Sequence, residues 1–91
     1  MKVINLQIKF VGIPLKNVKK KDYFLTIKTN QENITLKDVL QALSEKGIYV
    51  DLNLPGILVL INGINYQFLG GLHSEIKNGA LLVITTFAGG G

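Results

Sequence analysis

Only one stretch of this chain carries sustained helical periodicity. Leu36, Val39, Leu40 and Leu43 recur at i, i+3, i+4 and i+7 and form a single apolar stripe. Thr35 precedes the stripe as an N-cap, with Asp38 three residues later, and Ile34 is placed to staple onto Val39. Gly47 supplies the left-handed residue that closes a helix cheaply. The pattern predicts a helix over about residues 36–46. Nearly everything else with a period reads as strand. A lone amphipathic helix must lay its stripe on a sheet, so the number and order of the strands decide the fold.

Residues 2–11 alternate, with Ile4, Leu6, Ile8 and Phe10 on one face and Asn5, Gln7 and Lys9 on the other. Residues 22–29, DYFLTIKT, set Tyr23, Leu25 and Ile27 on one face, and the two runs make an antiparallel hairpin with a long connection. After the helix, residues 48–56 form a connector ending at Pro55-Gly56. ILVLIN (57–62) is apolar on both faces and reads as a central strand. Asn62-Gly63 turns the chain into a short strand, NYQFL (65–69), and Gly70-Gly71 bends it away. LHSEI makes one helical turn, Asn78-Gly79 is another tight turn, and LLVITTF (81–87) is the last strand.

A helix that follows a hairpin crosses one face of the sheet, which lets the first and last strands pair in parallel. The expected class is α+β, a β-grasp: a four- to five-stranded mixed sheet clasping one main helix. Residues 1–87 make up the domain, and residues 88–91 are expected to be a flexible glycine tail.

Ninety-one residues, 47% of them apolar, suffice for one domain with its own core. No cysteine is present, which excludes disulfides, thiolate metal sites and a cysteine nucleophile, and suits the expected cytoplasmic setting. The start, MKVINLQIKF, does not read as a signal peptide, and no apolar run reaches membrane-spanning length. The net charge is +4, and all ten basic residues are lysines. Without arginine there are no bidentate forks for phosphates or guanine edges, so direct nucleic-acid readout is not expected. The cluster Lys16, Lys19, Lys20 and Lys21 reads as a solvated loop, or as a contact for an acidic partner. His73 has no cysteine or second histidine beside it in the sequence, so no metal site is expected. Ser44 and Ser74 lack the Gly-x-Ser-x-Gly elbow of a nucleophile. No acid–base constellation stands out, and the chain is not expected to be an enzyme.

The last residues, TTFAGGG, point to a different chemistry. A carboxylate delivered into another protein's active site needs a thin leader able to adopt conformations closed to other residues, which glycine supplies. Residues 88–91 reach about 13–14 Å beyond Phe87 at ~3.3–3.6 Å per residue. That carboxylate can attack the α-phosphate of ATP, and the resulting acyl-adenylate is open to a sulfur or amine nucleophile. The chain is then a substrate that holds no permanent cofactor, with ATP used by its activating enzyme.

The C-terminal third resembles the ubiquitin-related modifier family. The run PGILVLIN (Pro55 to Asn62) matches that family's Pro-Gly-Ile-Leu-Val-Leu-Ile-Asn segment. Tyr66, Leu69 and Gly70 hold a second motif, and Thr85, Thr86, Phe87, Ala88, Gly89 and Gly90 stand at the closing one. The likeness to the small subunit of molybdopterin synthase and to the thiamine sulfur carrier is more distant, since Thr85 and Thr86 stand where the molybdopterin subunit has a double proline. The resemblance implies a sulfur carrier and protein modifier. Its terminal glycine (Gly91, or Gly90 after trimming, with Gly89 behind) is adenylated by an activating enzyme and converted to a thiocarboxylate. It then serves a tRNA thiolase or is joined to target-protein lysines through an isopeptide bond. The alternatives are a dedicated sulfur donor for molybdopterin or thiamine synthesis, and a β-grasp binding module with no activated end. The family's acidic residue after the Asn-Gly turn is here Ala80.

The doubly apolar strands imply a second surface. One face of ILVLIN and LLVIT covers the helix, while the other is either exposed as a docking patch or covered by residues 48–54. Leu82, Ile84 and Phe87 are the residues expected in that patch, and the molecule is expected to be a monomer.

Overall fold

The alternation at the start of the chain becomes β1 (Lys2–Val11), and DYFLTIKT becomes β2 (Asp22–Thr29). The computed structural model describes residues 1–12 and 21–86. The expectations placed on Lys16, Lys19, Lys20, Phe87 and the glycines Gly89, Gly90 and Gly91, and the boundary between domain and tail, lie outside the described residues. β1 and β2 pair antiparallel from Lys2↔Thr29 to Lys9↔Asp22. Phe10 and Tyr23 meet edge-on between these strands, with ring centroids 5.7 Å apart and planes at 87°.

The chain then forms β3 (Ile34–Thr35) and α1 (Leu36–Glu45). The helix start is a reciprocal capping box. Asp38 N–H donates to Thr35 Oγ1 at 3.4 Å, and Thr35 N–H donates to Asp38 Oδ2 at 2.9 Å. Ile34 and Val39 are both buried, as the staple requires. Gly47 follows the helix at φ +82°, where a Cβ is disfavoured. Thr35→Ala removes one half of the capping box and is expected to cost about 1 kcal/mol. In a chain of this size that lowers the melting temperature by about 4–8 °C, read by calorimetry.

β4 (Ile57–Ile61) and β5 (Ile64–Asn65) form a hairpin whose two central residues, Asn62 and Gly63, have φ +50° and +85°. Positive φ at both positions is the twist-matched hairpin turn, tolerated by asparagine and glycine. The expected strand over 65–69 is corrected here, because strand geometry stops at Asn65. Its side-chain oxygen accepts from Gln67 N–H at 2.9 Å, and residues Tyr66–Phe68 wind into a 3₁₀ turn. A second 3₁₀ turn, Gly71–His73, takes only the start of LHSEI, and the helical turn expected there is corrected over Glu75–Ile76, which are extended.

β6 (Glu75–Ile76) pairs antiparallel with β3, a two-residue ladder too short to leave a periodic trace in the sequence. Leu36 N–H donates to Ser74 O at 2.9 Å beside it, which ties the helix start to this segment. β7 (Leu81–Thr86) closes the fold.

The sheet order is β2-β1-β7-β4-β5. β7 is the centre strand, parallel to β1 (Gln7↔Leu81 to Val11↔Thr85) and antiparallel to β4 (Ile57↔Thr86 to Ile61↔Leu82). This is the five-stranded mixed sheet with one main helix expected of a β-grasp. Leu36, Val39 and Leu43 of α1 share one core with Leu6, Ile8 and Phe10 of β1, Val59 and Ile61 of β4, and Leu82 and Ile84 of β7. The connector joins the same core, with Ile48 buried in it and Val50 and Leu52 packed against it.

Candidate functional site

β7 is the element that carries the chain toward its glycine run, and its anchoring is strong. Ladder hydrogen bonds hold it on both sides, and its first residue is clasped by the preceding hairpin. Leu81 N–H donates to Asn62 Oδ1 at 2.9 Å, and Asn62 N–H donates to Leu81 O at 2.8 Å. The turn before β7 is tied to β1: Asn5 N–H donates to Asn78 Oδ1 at 2.8 Å, and Gly79 N–H donates to Asn5 O at 2.7 Å. Thr86, paired with Ile57, is the last residue of this central strand, and FAGGG follows it in the sequence.

The two faces of β7 differ. Leu82 and Ile84 have no exposed surface and lie in the core against the helix side. The docking role expected of these two residues is therefore corrected. A side chain at 0% exposure offers nothing to a partner, and the alternation of the strand turns its neighbours to the other face. Leu81, Val83 and Thr85 stand on the opposite face, half-buried.

Register places Leu60 of β4 across from Val83, with Lys9 on the other side, and Leu58 across from Thr85, with Val11 beyond. The result is an apolar strip of Leu58, Leu60, Val83 and Val11, the last 52% exposed, at the end of the sheet where β7 finishes. In the connector, Ile48, Val50 and Leu52 are turned to the core side, while Tyr49 and Leu54 are exposed. Ala80, at the position where an acidic residue was noted as missing, is buried. A carboxylate there would be desolvated rather than presented to a partner.

An open cleft of about 400 Å³ lies at the other end of β7 and is walled by Asn5, Gln7, Phe24, Thr26 and Leu81. None of its lining residues is titratable, so it offers no acid or base. His73 is exposed, and Ser74 is buried with its hydroxyl donated to Gly71 O at 2.6 Å. Ser44 donates to Gln41 O at 2.6 Å. Both serines are thus engaged with backbone carbonyls rather than with a base. Among the described residues no group of histidine, aspartate and glutamate is placed to hold a metal ion, and no helix is long and apolar enough to cross a membrane.

The sequence matches the model of the ThiS family over residues 19–91. The chain belongs to the ThiS family. Membership makes it a small ubiquitin-like carrier that enzymes act upon, not an enzyme itself. No curated protein sequence matches it. Several solved structures share its fold. Urm1 from Trypanosoma brucei is similar at 22% identity and a TM-score of 0.68, covering 100% of this chain and 99% of that one. The small archaeal modifier protein 1 from Methanosarcina acetivorans matches at 20% identity and a TM-score of 0.66 over 100% of both chains. The Haloferax volcanii HVO 2177 protein matches at 21% identity and a TM-score of 0.71, over 98% of this chain and 88% of that one. At these identities the likeness is one of fold, and it coincides with the β-grasp derived from the pattern of strands.

Proposed function

We propose that this ThiS-family chain carries sulfur on its C-terminal glycine and also modifies proteins through that same end. The observation that supports this reading best is the placement of β7. The central strand of the sheet ends at Thr86 beside an apolar strip, and FAGGG follows. A rigid anchor, a docking surface next to it and a glycine leader are what delivery of a carboxylate into a partner's nucleotide site requires.

In the proposed sequence the glycine carboxylate attacks the α-phosphate of ATP and pyrophosphate leaves. A sulfur nucleophile then displaces AMP from the acyl-adenylate, and the product is a thiocarboxylate. Its sulfur goes to tRNA through a thiolase, or an activated acyl group is transferred to a lysine amine of a target protein. The strip formed by Leu58, Leu60, Val83 and Val11, with Phe87 beyond it in the sequence, is the proposed contact for the activating enzyme. The reaction takes place in the cytoplasm, and the chain contributes no cofactor.

The reading is tested by incubating the chain with ATP, an activating enzyme and a sulfur source, then recording intact mass. The expected product is heavier by the exchange of one oxygen for sulfur. Addition of a protein extract with the sulfur acceptor withheld is expected to give isopeptide adducts on lysines. An unchanged mass, with the enzyme shown to be active on its own carrier, would sink the proposal. The family match also fits a dedicated sulfur donor for molybdopterin or thiamine synthesis, and thiocarboxylate without any lysine adduct would favour that role.

A further inference from the structure

The sheet has one long open edge. β5, at one margin, is two residues long, whereas β2, at the other, runs for eight. The direction of its free backbone groups follows from the pairing. Phe10 N–H donates to Lys21 O at 2.8 Å, so Lys21 faces β1, and so do Tyr23, Leu25 and Ile27 by alternation. Asp22, Phe24, Thr26 and Lys28 therefore turn their N–H and C=O groups outward. No backbone hydrogen bond from another described residue reaches them. The side chains of these four residues are exposed, and Phe24 is 82% exposed. Such an edge is a template for an added strand.

We infer that β2 pairs antiparallel with β2 of a second copy of this chain, about a twofold axis at Leu25. Parity restricts the choice, because outward-facing residues must lie opposite outward-facing residues and the axis must pass through a residue rather than between two. An axis at Phe24 overlaps only residues 22–26. An axis at Thr26 sets Lys28 against Phe24 and leaves Asp22 without a partner in the strand. The axis at Leu25 overlaps residues 22–28, sets Phe24 opposite Thr26, and sets Asp22 opposite Lys28 at both ends. Those two are the only charged residues in the strand, and they are of opposite sign. The same axis places the two exposed Phe24 rings on one face at diagonal positions, within reach of each other.

The pairing is weak because one strand edge buries little area, so the chain is monomeric when dilute. It forms a continuous ten-stranded sheet in which each β7 remains two strands from the joint, with the apolar strip beside it uncovered. Pairing and activation are therefore compatible, and the inference stands whether or not the glycine end is activated.

The test is a concentration series on the isotopically labelled chain, from about 20 μM to about 1 mM, read by amide chemical shifts and sedimentation. The Phe24, Thr26 and Lys28 amides are expected to move as the mass average rises. Asp22→Lys and Lys28→Asp each oppose like charges and are expected to weaken association about tenfold or more. The double exchange Asp22→Lys with Lys28→Asp restores opposite signs and is expected to recover it. Unchanged amides elsewhere in the sheet certify the fold of each variant. Concentration-independent β2 amides overturn the inference, and so does a double exchange no tighter than the single ones. Shifts confined to Leu60 and Val83 would assign self-association to the other surface and overturn it as well.

Discussion

Ile84→Asp is expected to prevent folding, while Val83→Asp, one residue away, leaves the fold intact and slows activation. Ile84 has no exposed surface and sits in register with Phe10 on one side and Val59 on the other. A carboxylate at that point has no partner and costs several kcal/mol, or forces the strand out of the sheet. A domain of this length has only about 5–14 kcal/mol to lose. β7 is also the centre strand, so its displacement separates β1 from β4. Val83 is on the outer face, half-buried between Leu60 and Lys9. An aspartate there loses strand propensity of about 1 kcal/mol or less, and the lysine across the strand offsets part of it. Its effect belongs to docking, where a charge in the middle of an apolar contact is expected to lower kcat/KM of adenylation about 10- to 100-fold. Circular dichroism on heating and ATP–pyrophosphate exchange measure the two effects separately. A folded Ile84→Asp protein, or an unfolded Val83→Asp one, would contradict the assignment of the two faces.

That pair of residues also marks the limit of what the sequence discloses. In LLVIT every position but the last is apolar, so alternation is present in the structure but invisible in the composition. Leu82 and Ile84 read as surface as readily as Leu81 and Val83. Parity becomes fixed only when Gln7 is set against Leu81 and Phe10 against Ile84, a contact between residues more than 70 positions apart. β1 shows the opposite case: Asn5, Gln7 and Lys9 label its outer face, and its buried set could be read directly.

The helix was legible for a similar local reason. The capping box between Thr35 and Asp38, and the closing Gly47, lie within the helix and its flanks. The segment 65–69 misled because tyrosine, phenylalanine and leucine favour strands, while the decisive interaction is a single hydrogen bond between the Asn65 side chain and Gln67 N–H. β3 and β6 stayed hidden because two residues cannot establish a period. The open edge of β2 could not be read at all, since which strand ends a sheet depends on the order β2-β1-β7-β4-β5 and not on any one segment.

Removing Gly89, Gly90 and Gly91 is expected to abolish adenylation and thiocarboxylate formation while leaving the melting temperature unchanged. Every buried residue of the described core lies at or before Ile84, so that core is expected to survive the deletion. Their proposed contribution is reach. Three extended residues span about 10 Å at ~3.3–3.6 Å each, and a carboxylate withdrawn by that distance cannot meet an α-phosphate held in a fixed site. Misplacement by about 1 Å already costs on the order of 100-fold in oriented reactions, so the expected loss exceeds about 1000-fold. Gly90→Val, with Gly91 kept, separates length from shape: the reach is preserved, but the β-branched side chain excludes conformations open only to glycine. That variant is expected to fail nearly as completely, read by intact mass and by pyrophosphate exchange. Deleting Gly91 alone identifies the working terminus, since retained activity assigns it to Gly90 and lost activity to Gly91. Normal thiocarboxylate formation by the chain lacking all three glycines would place the reactive group elsewhere and remove the basis for reading β7 as its anchor.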